Sequence, residues 1–529
     1  MLPDEEEGER AVLVAYVEHL TDRYAEITAK IEQDNSKKLH SMNNRQYPET
    51  CDTPSACRTA DIDPRLLGEM LRLFSGREIH SFVLIKDGIR LVDLAVPPYV
   101  NDVVQDIHSA SKTFTAVACG FAMQEGRFRL DTPIVDLVGG RNWAPGVDKL
   151  TVRHLLTMTA GQAAEDFQLI WEEEDWSQAF LSTPLTAAPG FHFEYNNFCS
   201  FMLSAAIQRI SGQRLLDYLD PRLFDPLGIA ERYWEQLGKG VDWGASGLYL
   251  SVESMTRFGR FLLNRGCWNG QQLLSADFVD AMATRQIDSY RKEVPAWIED
   301  NQGYGFQTWM NSFGGFRASG LLQQEIVVLP AYGITAVLSG GVCDLEWEPL
   351  SLFRSHLLPA CEQGYHGGDE ELWDSVRELS RPMPCPGREQ SLPELPAKRY
   401  QLDRLFTRWR TFHIDLHVEA VGIERTPQET AVTLINRGVP TRFRCPASGD
   451  YTVGTMNYSI NGEPFDLRPA VCGGWLSPKT FELTFRPLTR KMWMVFTIEI
   501  VKPEMIELTV SFDPRHRAEP EAIRGREIA

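Results

Sequence analysis

The feature that most constrains this fold is a change of residue period across the proline-rich run Arg381-Pro382-Met383-Pro384-Cys385-Pro386-Gly387. Upstream, from Ser109 to about 285, apolar residues recur at helical spacing between long loops. Strand-like segments at 81–88 and between Gly303 and Gly341 bracket that helical part. Downstream of 395 the period becomes two: 413–419, 430–435, 481–485, 492–500 and 505–512 alternate or run β-branched. Asn461-Gly462 is a hairpin signal within them. The pattern predicts an α+β fold, an α/β sandwich of antiparallel sheet with flanking helices plus an all-helical lobe. A smaller all-β C-terminal domain, barrel or sandwich, follows. The expected organisation is an N-terminal helix and connector over 1–59, a main domain over 60–365, a linker over 366–394 and an accessory β domain over 395–529. Residues 8–33 supply the helix, with Val12, Val14, Val17, Leu20, Tyr24, Ile27 and Ile31 as its apolar stripe.

A net charge of −19 argues against nucleic acid and anionic membrane surfaces as partners. No window approaches the roughly 18 uninterrupted apolar residues of a membrane span. The start, Met1-Leu2-Pro3-Asp4-Glu5-Glu6-Glu7, has no signal-peptide pattern, so a cytoplasmic location is expected. Ten cysteines are scattered without a Cys-x-x-Cys pair and read as reduced thiols, Cys51 and Cys57 being one local pair. No cofactor is implied. The chain leaves a homo-oligomer open.

Ser109-Ala110-Ser111-Lys112, followed by Thr113-Phe114-Thr115-Ala116-Val117-Ala118-Cys119-Gly120, carries the main chemical signal. On a helix, Lys112 lies on the same face as Ser109 and reaches its hydroxyl. Burial lowers the proton affinity of a lysine, which turns an amine into a base near neutral pH. The small residues let the helix pack closely, and Gly126 marks its end at a C′ position. The plainer reading of Ser109 is a helix N-cap. A second Ser-x-x-Lys, Ser289-Tyr290-Arg291-Lys292, lies in a polar run with nothing local to bury it.

Two further segments could complete a site. Pro189-Gly190-Phe191-His192-Phe193-Glu194-Tyr195-Asn196-Asn197 holds a Tyr-x-Asn ahead of a helical pattern. A phenol beside an ammonium can be drawn toward phenolate, so Tyr195 is a second candidate base or acid. Asn197 can orient Lys112 or a substrate carbonyl. Gly314-Gly315-Phe316-Arg317-Ala318-Ser319-Gly320, then 321–330, reads as strand, turn and strand.

In order and context these segments resemble the serine β-lactamase and penicillin-binding-protein-like superfamily, in its class C-like branch of β-lactamases, D-amino-acid peptidases, esterases and 6-aminohexanoate-oligomer hydrolases. The resemblance spans roughly 60–360. It is carried also by Leu155-Leu156-Thr157-Met158-Thr159-Ala160-Gly161, Leu223-Phe224-Asp225-Pro226-Leu227-Gly228-Ile229, Gly247-Leu248-Tyr249-Leu250-Ser251 and Phe258-Gly259-Arg260-Phe261-Leu262-Leu263. It implies that Ser109 is the acylated nucleophile and that Lys112 and Tyr195 share the proton transfers, either being the dominant base. It implies that Asn197 orients the amide or Lys112. With Ala318-Ser319-Gly320 in the family's Lys-Thr-Gly position, backbone N–H groups of Ser109 and Leu321 would form the oxyanion hole.

Ala318 removes the cation that often holds a substrate carboxylate there, and Arg317 faces the other way from it on a strand. A neutral ester or amide of a small molecule or short peptide is therefore expected. The alternatives are a β-lactamase or D-amino-acid peptidase, and a non-catalytic binding or sensor relative. No Gly-x-Ser-x-Gly, Walker, dinucleotide or His-Glu-x-x-His signature competes. His413 and His417 lack a third ligand, so no metal is expected. His108 suits a structural role, and the acidic run 172–175 a solvated loop.

Overall fold

The computed structural model describes residues 56–528 except 163–172, 174, 238–239, 292–298, 342–348, 386–391, 393, 407–417, 437, 455, 461–462, 468, 489–492 and 513–520. The expected N-terminal helix, Cys51, Glu172 and Glu174 of the acidic run, Lys292, the pair His413 and His417, and the Asn461-Gly462 turn lie outside the described residues. The described residues divide into two compact units, 56–95 with Val104–Leu379, and Val96–Val103 with 380–528.

The first unit is built on a six-stranded antiparallel sheet of β1 (Ile79–Lys86), β2 (Ile89–Ala95), β3 (Trp309–Met310), β4 (Phe316–Gly320), β5 (Gln324–Leu329) and β6 (Ile334–Gly340). The strand order is β3-β4-β5-β6-β1-β2, so the C-terminal strands join the N-terminal hairpin along β6 and β1. β1, β5 and β6 are buried on both faces, which explains their continuous apolar runs. Its longer helices are α1 (Pro64–Arg72), α2 (Ser111–Gln124), α3 (Asn197–Ser211), α4 (Val252–Leu263) and α5 (Asp369–Leu379). α4 packs on β5 and β6, where a methyl group at Gly259 would lie 2.5 Å from Thr335 Cγ2. α2 packs on α3 among the helices of the lobe. It is buried along most of its length, and at Gly120 a methyl group would meet the Phe278 ring at 2.6 Å. The run of small residues thus serves close packing. α2 ends as expected, with Gly126 in the left-handed region at φ +72° just after the Glu125 cap.

The second unit holds a ten-stranded antiparallel sheet: β7 (Leu395–Phe406), β8 (Val418–Arg425), β9 (Glu429–Asn436), β10 (Val439–Pro446), β11 (Thr452–Val453), β12 (Pro469–Ser477), β13 (Thr480–Pro487), β14 (Met494–Lys502), β15 (Met505–Phe512) and β16 (Glu521–Ile528). Its order runs β10-β9-β8-β7-β16-β15-β14-β13-β12-β11. β10 also packs against β12 and β11, so the sheet nearly closes on itself. Phe443, Phe485 and Phe496 meet inside it, with ring centroids 5.8 Å and 6.1 Å apart. The period-two pattern therefore reflects one face turned inward. Met456–Ile460 and Glu463–Leu467, which flank the predicted hairpin turn, pair antiparallel.

Candidate active site

Ser109 lies in a short 3₁₀ turn, His108–Ala110, immediately before α2. His108 adopts φ +48°, and its backbone N–H donates to Asp106 Oδ1 at 2.8 Å. Its ring Nδ1 is 3.2 Å from Asp106 Oδ2, so this histidine braces the turn. Ser109 is not the helix cap; Ala110 occupies that place without a side-chain cap.

Lys112 gathers the site. Its Nζ donates to Ser109 Oγ at 3.0 Å, to Asn197 Oδ1 at 2.8 Å and to the Ala245 carbonyl at 2.7 Å. The residue is only 2% exposed, and burial brings its pKa down from 10.5 to about 7. The amine is thus divided between its two protonation states at neutral pH.

Tyr195 and Asn197 come from the start of α3. Asn196 caps that helix by accepting from the Phe198 N–H at 2.8 Å, which makes Asn197 its first residue. The segment before it is tied to 155–161: Glu194 N–H donates to the Met158 carbonyl at 2.8 Å and Gly190 N–H to Thr159 at 2.9 Å. The Tyr195 ring stacks on Trp309 at 5.5 Å and 21°, and Lys112 Nζ lies 4.8 Å from its centroid. Burial raises the Tyr195 pKa above its ordinary range; a hydrogen bond with the Ser109 side chain opposes that rise without cancelling it. The expected pull toward phenolate is therefore outweighed, and the group is a neutral phenol.

The strand side is β4. At Gly320 a methyl group would lie 2.2 Å from the Ile107 carbonyl oxygen and 3.2 Å from Ala110 N, so glycine lets the strand close on the Ser109 turn. Along β4, β3 pairs with Phe316 and Arg317, leaving Ala318–Gly320 beyond the last β3 pair. Ala318 is buried, Ser319 is half-buried, and Leu321, just past the strand, is 54% exposed. Arg317 is 1% exposed and donates to Asp300 Oδ1 at 2.5 Å, Asn311 Oδ1 at 2.9 Å and the Met310 carbonyl at 3.1 Å. The structure thus joins Ser109, Lys112, Tyr195 and Asn197 in one cluster and lays the Ala318–Gly320 strand against its turn. It adds the Ala245 carbonyl, Trp309, Asp300 and Glu325, which no motif signalled. Ser289 is buried, against expectation: its Oγ donates to the Asp300 carbonyl at 2.7 Å and accepts from Gly303 N–H at 2.9 Å. Among the described residues, no group of three metal-ligating side chains converges.

Residues 79–339 match the Beta-lactamase family model. This part of the chain belongs to the serine β-lactamase and penicillin-binding-protein-like superfamily. The β-lactamase-like stretch takes in every residue of the cluster. An uncharacterized protein of Alkalihalophilus pseudofirmus is 24% identical over 263 residues, covering 44% of this chain and 71% of that protein. A β-lactamase of Yersinia enterocolitica is 25% identical over 161 residues, 28% of this chain and 39% of that enzyme. The octameric penicillin-binding protein homologue from Pyrococcus abyssi is 17% identical at a TM-score of 0.43, covering 87% of this chain and 99% of that one. The family is one of hydrolases on the β-lactamase fold. No helix among the described residues is long and apolar enough to cross a membrane.

Proposed function

We propose that this β-lactamase-like protein is a serine hydrolase that forms an acyl-enzyme at Ser109 and cleaves a neutral ester or amide of a small molecule or short peptide. The observation that carries this reading is the buried Lys112 amine, with a pKa of about 7, held 3.0 Å from the Ser109 hydroxyl. In the proposed reaction, neutral Lys112 takes the Ser109 proton as Oγ attacks the carbonyl. The Tyr195 phenol, hydrogen-bonded with Ser109, relays the proton to the leaving group. Backbone N–H groups of Ser109 and Leu321 receive the oxyanion, each such donor being worth about 3–4 kcal/mol. Water then attacks the acyl-enzyme with the same groups in reversed roles.

Ala318 in place of a lysine supports a neutral substrate over a β-lactam. The test is intact-protein mass after a fluorophosphonate, a p-nitrophenyl ester and a penicillin, with Ser109→Ala alongside. A Ser109-dependent phosphonate adduct with ester turnover, and no penicilloyl species or penicillin hydrolysis, is expected. Rapid penicillin hydrolysis or a lasting penicilloyl adduct would move the assignment to penicillin-recognising enzymes. Folded protein inert to all three probes would make it a binding module.

A further inference from the structure

Ser319 is held with its hydrogen turned away from the cleft. Its Oγ donates to Glu325 Oε1 at 2.7 Å, and Glu325 is its cross-strand partner in the β4–β5 register. The second carboxylate oxygen lies 3.4 Å from Arg317 Nε. Arg317 and Ser319, two apart on β4, share one face, so guanidinium, carboxylate and hydroxyl form a single row. Glu325 and Arg317 are both buried. The Ser319 hydroxyl has one hydrogen, and the bond to Glu325 Oε1 takes it. What the half-buried Ser319 can still offer a substrate is its oxygen lone pairs.

The charges around this wall agree. Asp300 and Glu325 both act on the Tyr195 phenol as negative neighbours, opposed by Arg291. The Arg291 guanidinium is itself shared with Asp300, at 3.9 Å. A substrate carboxylate placed at Ser319 would meet lone pairs, with Glu325 directly behind them and no cation from Ala318. Burying it there unpaired is costly.

Resting on the reading of Ser109 as nucleophile, we propose that Ser319 is a specificity-determining residue that accepts a hydrogen bond from an N–H or O–H of the substrate. The enzyme thereby selects donor-bearing neutral esters and amides and rejects carboxylates at this position, by repulsion as much as by attraction.

The experiment compares three chain-length series of p-nitrophenyl esters: plain alkanoates, acetamido-terminated chains and carboxylate-terminated chains. Wild type, Ser319→Ala and Glu325→Gln are each judged by their own ratios of kcat/KM. Wild type should favour the acetamido ester over the matched alkanoate by roughly five- to tenfold at the best length, as one hydrogen bond allows. The carboxylate ester should be poorest. Ser319→Ala should erase the acetamido preference. In Glu325→Gln the new amide can donate to Ser319 Oγ and free its hydrogen for the cleft, so the carboxylate penalty should shrink. A wild-type preference for carboxylate esters that Arg291→Ala abolishes would overturn the proposal, as would an acetamido preference unchanged in Ser319→Ala. If Glu325→Gln does not fold, Ser319→Ala, which removes a single oxygen, decides alone. Phosphonate labelling that persists in Ser109→Ala would instead sink the nucleophile reading, whatever the selectivity ratios show.

Discussion

On the helix side of the site, one side chain does the gathering: Lys112 links Ser109, Asn197 and the Ala245 carbonyl through a single ammonium. On the strand side the work is divided. Arg317, Asp300, Asn311, Glu325 and Ser319 hold one another, and the strand meets the Ser109 turn through its backbone at Gly320. The first arrangement concentrates chemistry in one atom and is exposed to single substitutions. The second spreads position over many bonds and is exposed to changes of backbone shape.

Lys112→Ala should show that contrast most strongly, lowering kcat/KM for an activated ester by roughly 10²–10⁴, the usual worth of a positioned proton-transfer group. A loss under tenfold would break the comparison. Tyr195→Phe should cost on the order of 10², because the phenol donates but does not initiate proton removal. A silent Tyr195→Phe would remove the tyrosine from the mechanism.

The pH dependence sharpens the same point. Lys112 must be deprotonated to act, and its lowered pKa puts that step at about 7. kcat/KM should therefore rise with pH up to about 7 and then level off, while Tyr195, raised above its ordinary range, stays protonated across the plateau. A flat profile between pH 5 and 8, roughly the span over which such a group changes charge, would contradict the assignment.

On the strand side, Gly320→Ala would push a methyl group to 2.2 Å from the Ile107 carbonyl oxygen. Stability should fall by about 1–3 kcal/mol, seen as a lower Tm, together with reduced turnover. Asn311→Ala deletes just one of the Arg317 acceptors and should change kcat/KM less than about fivefold, the scale of one ordinary hydrogen bond. An Asn311→Ala effect as large as that of Lys112→Ala would mean the strand side is not distributed at all.

The same division decides what was legible in the sequence. Ser109 and Lys112 are three apart, Asn197 follows Tyr195 closely, and Gly126 sits just past its helix, so local spacing carried them. The two-residue period beyond 395 carried the β unit for the same reason. The Ala245 carbonyl could not be read, because any residue type supplies one; only the fold aims it at Lys112. Glu325 pairs with Ser319 through strand register, and Asp300 meets Arg317 from a short 3₁₀ turn, Glu299–Asn301, so neither forms a motif. The direction of the Tyr195 shift depended on burial against Trp309 and Tyr304, which sequence does not disclose. Ser289 looked exposed because its neighbours are polar, but its partners come from 300–303.

The three acceptors around Lys112 are not equivalent. The Asn197 side-chain oxygen and the Ala245 carbonyl have no hydrogen to give back, whereas the Ser109 hydroxyl does. When the ammonium loses a proton, two hydrogens remain, and the two fixed oxygens hold them. The vacated corner of the nitrogen tetrahedron then points at Ser109. The surroundings thus decide in advance which way the amine becomes basic, and no rotation of the side chain is needed before the hydroxyl can hand over its hydrogen.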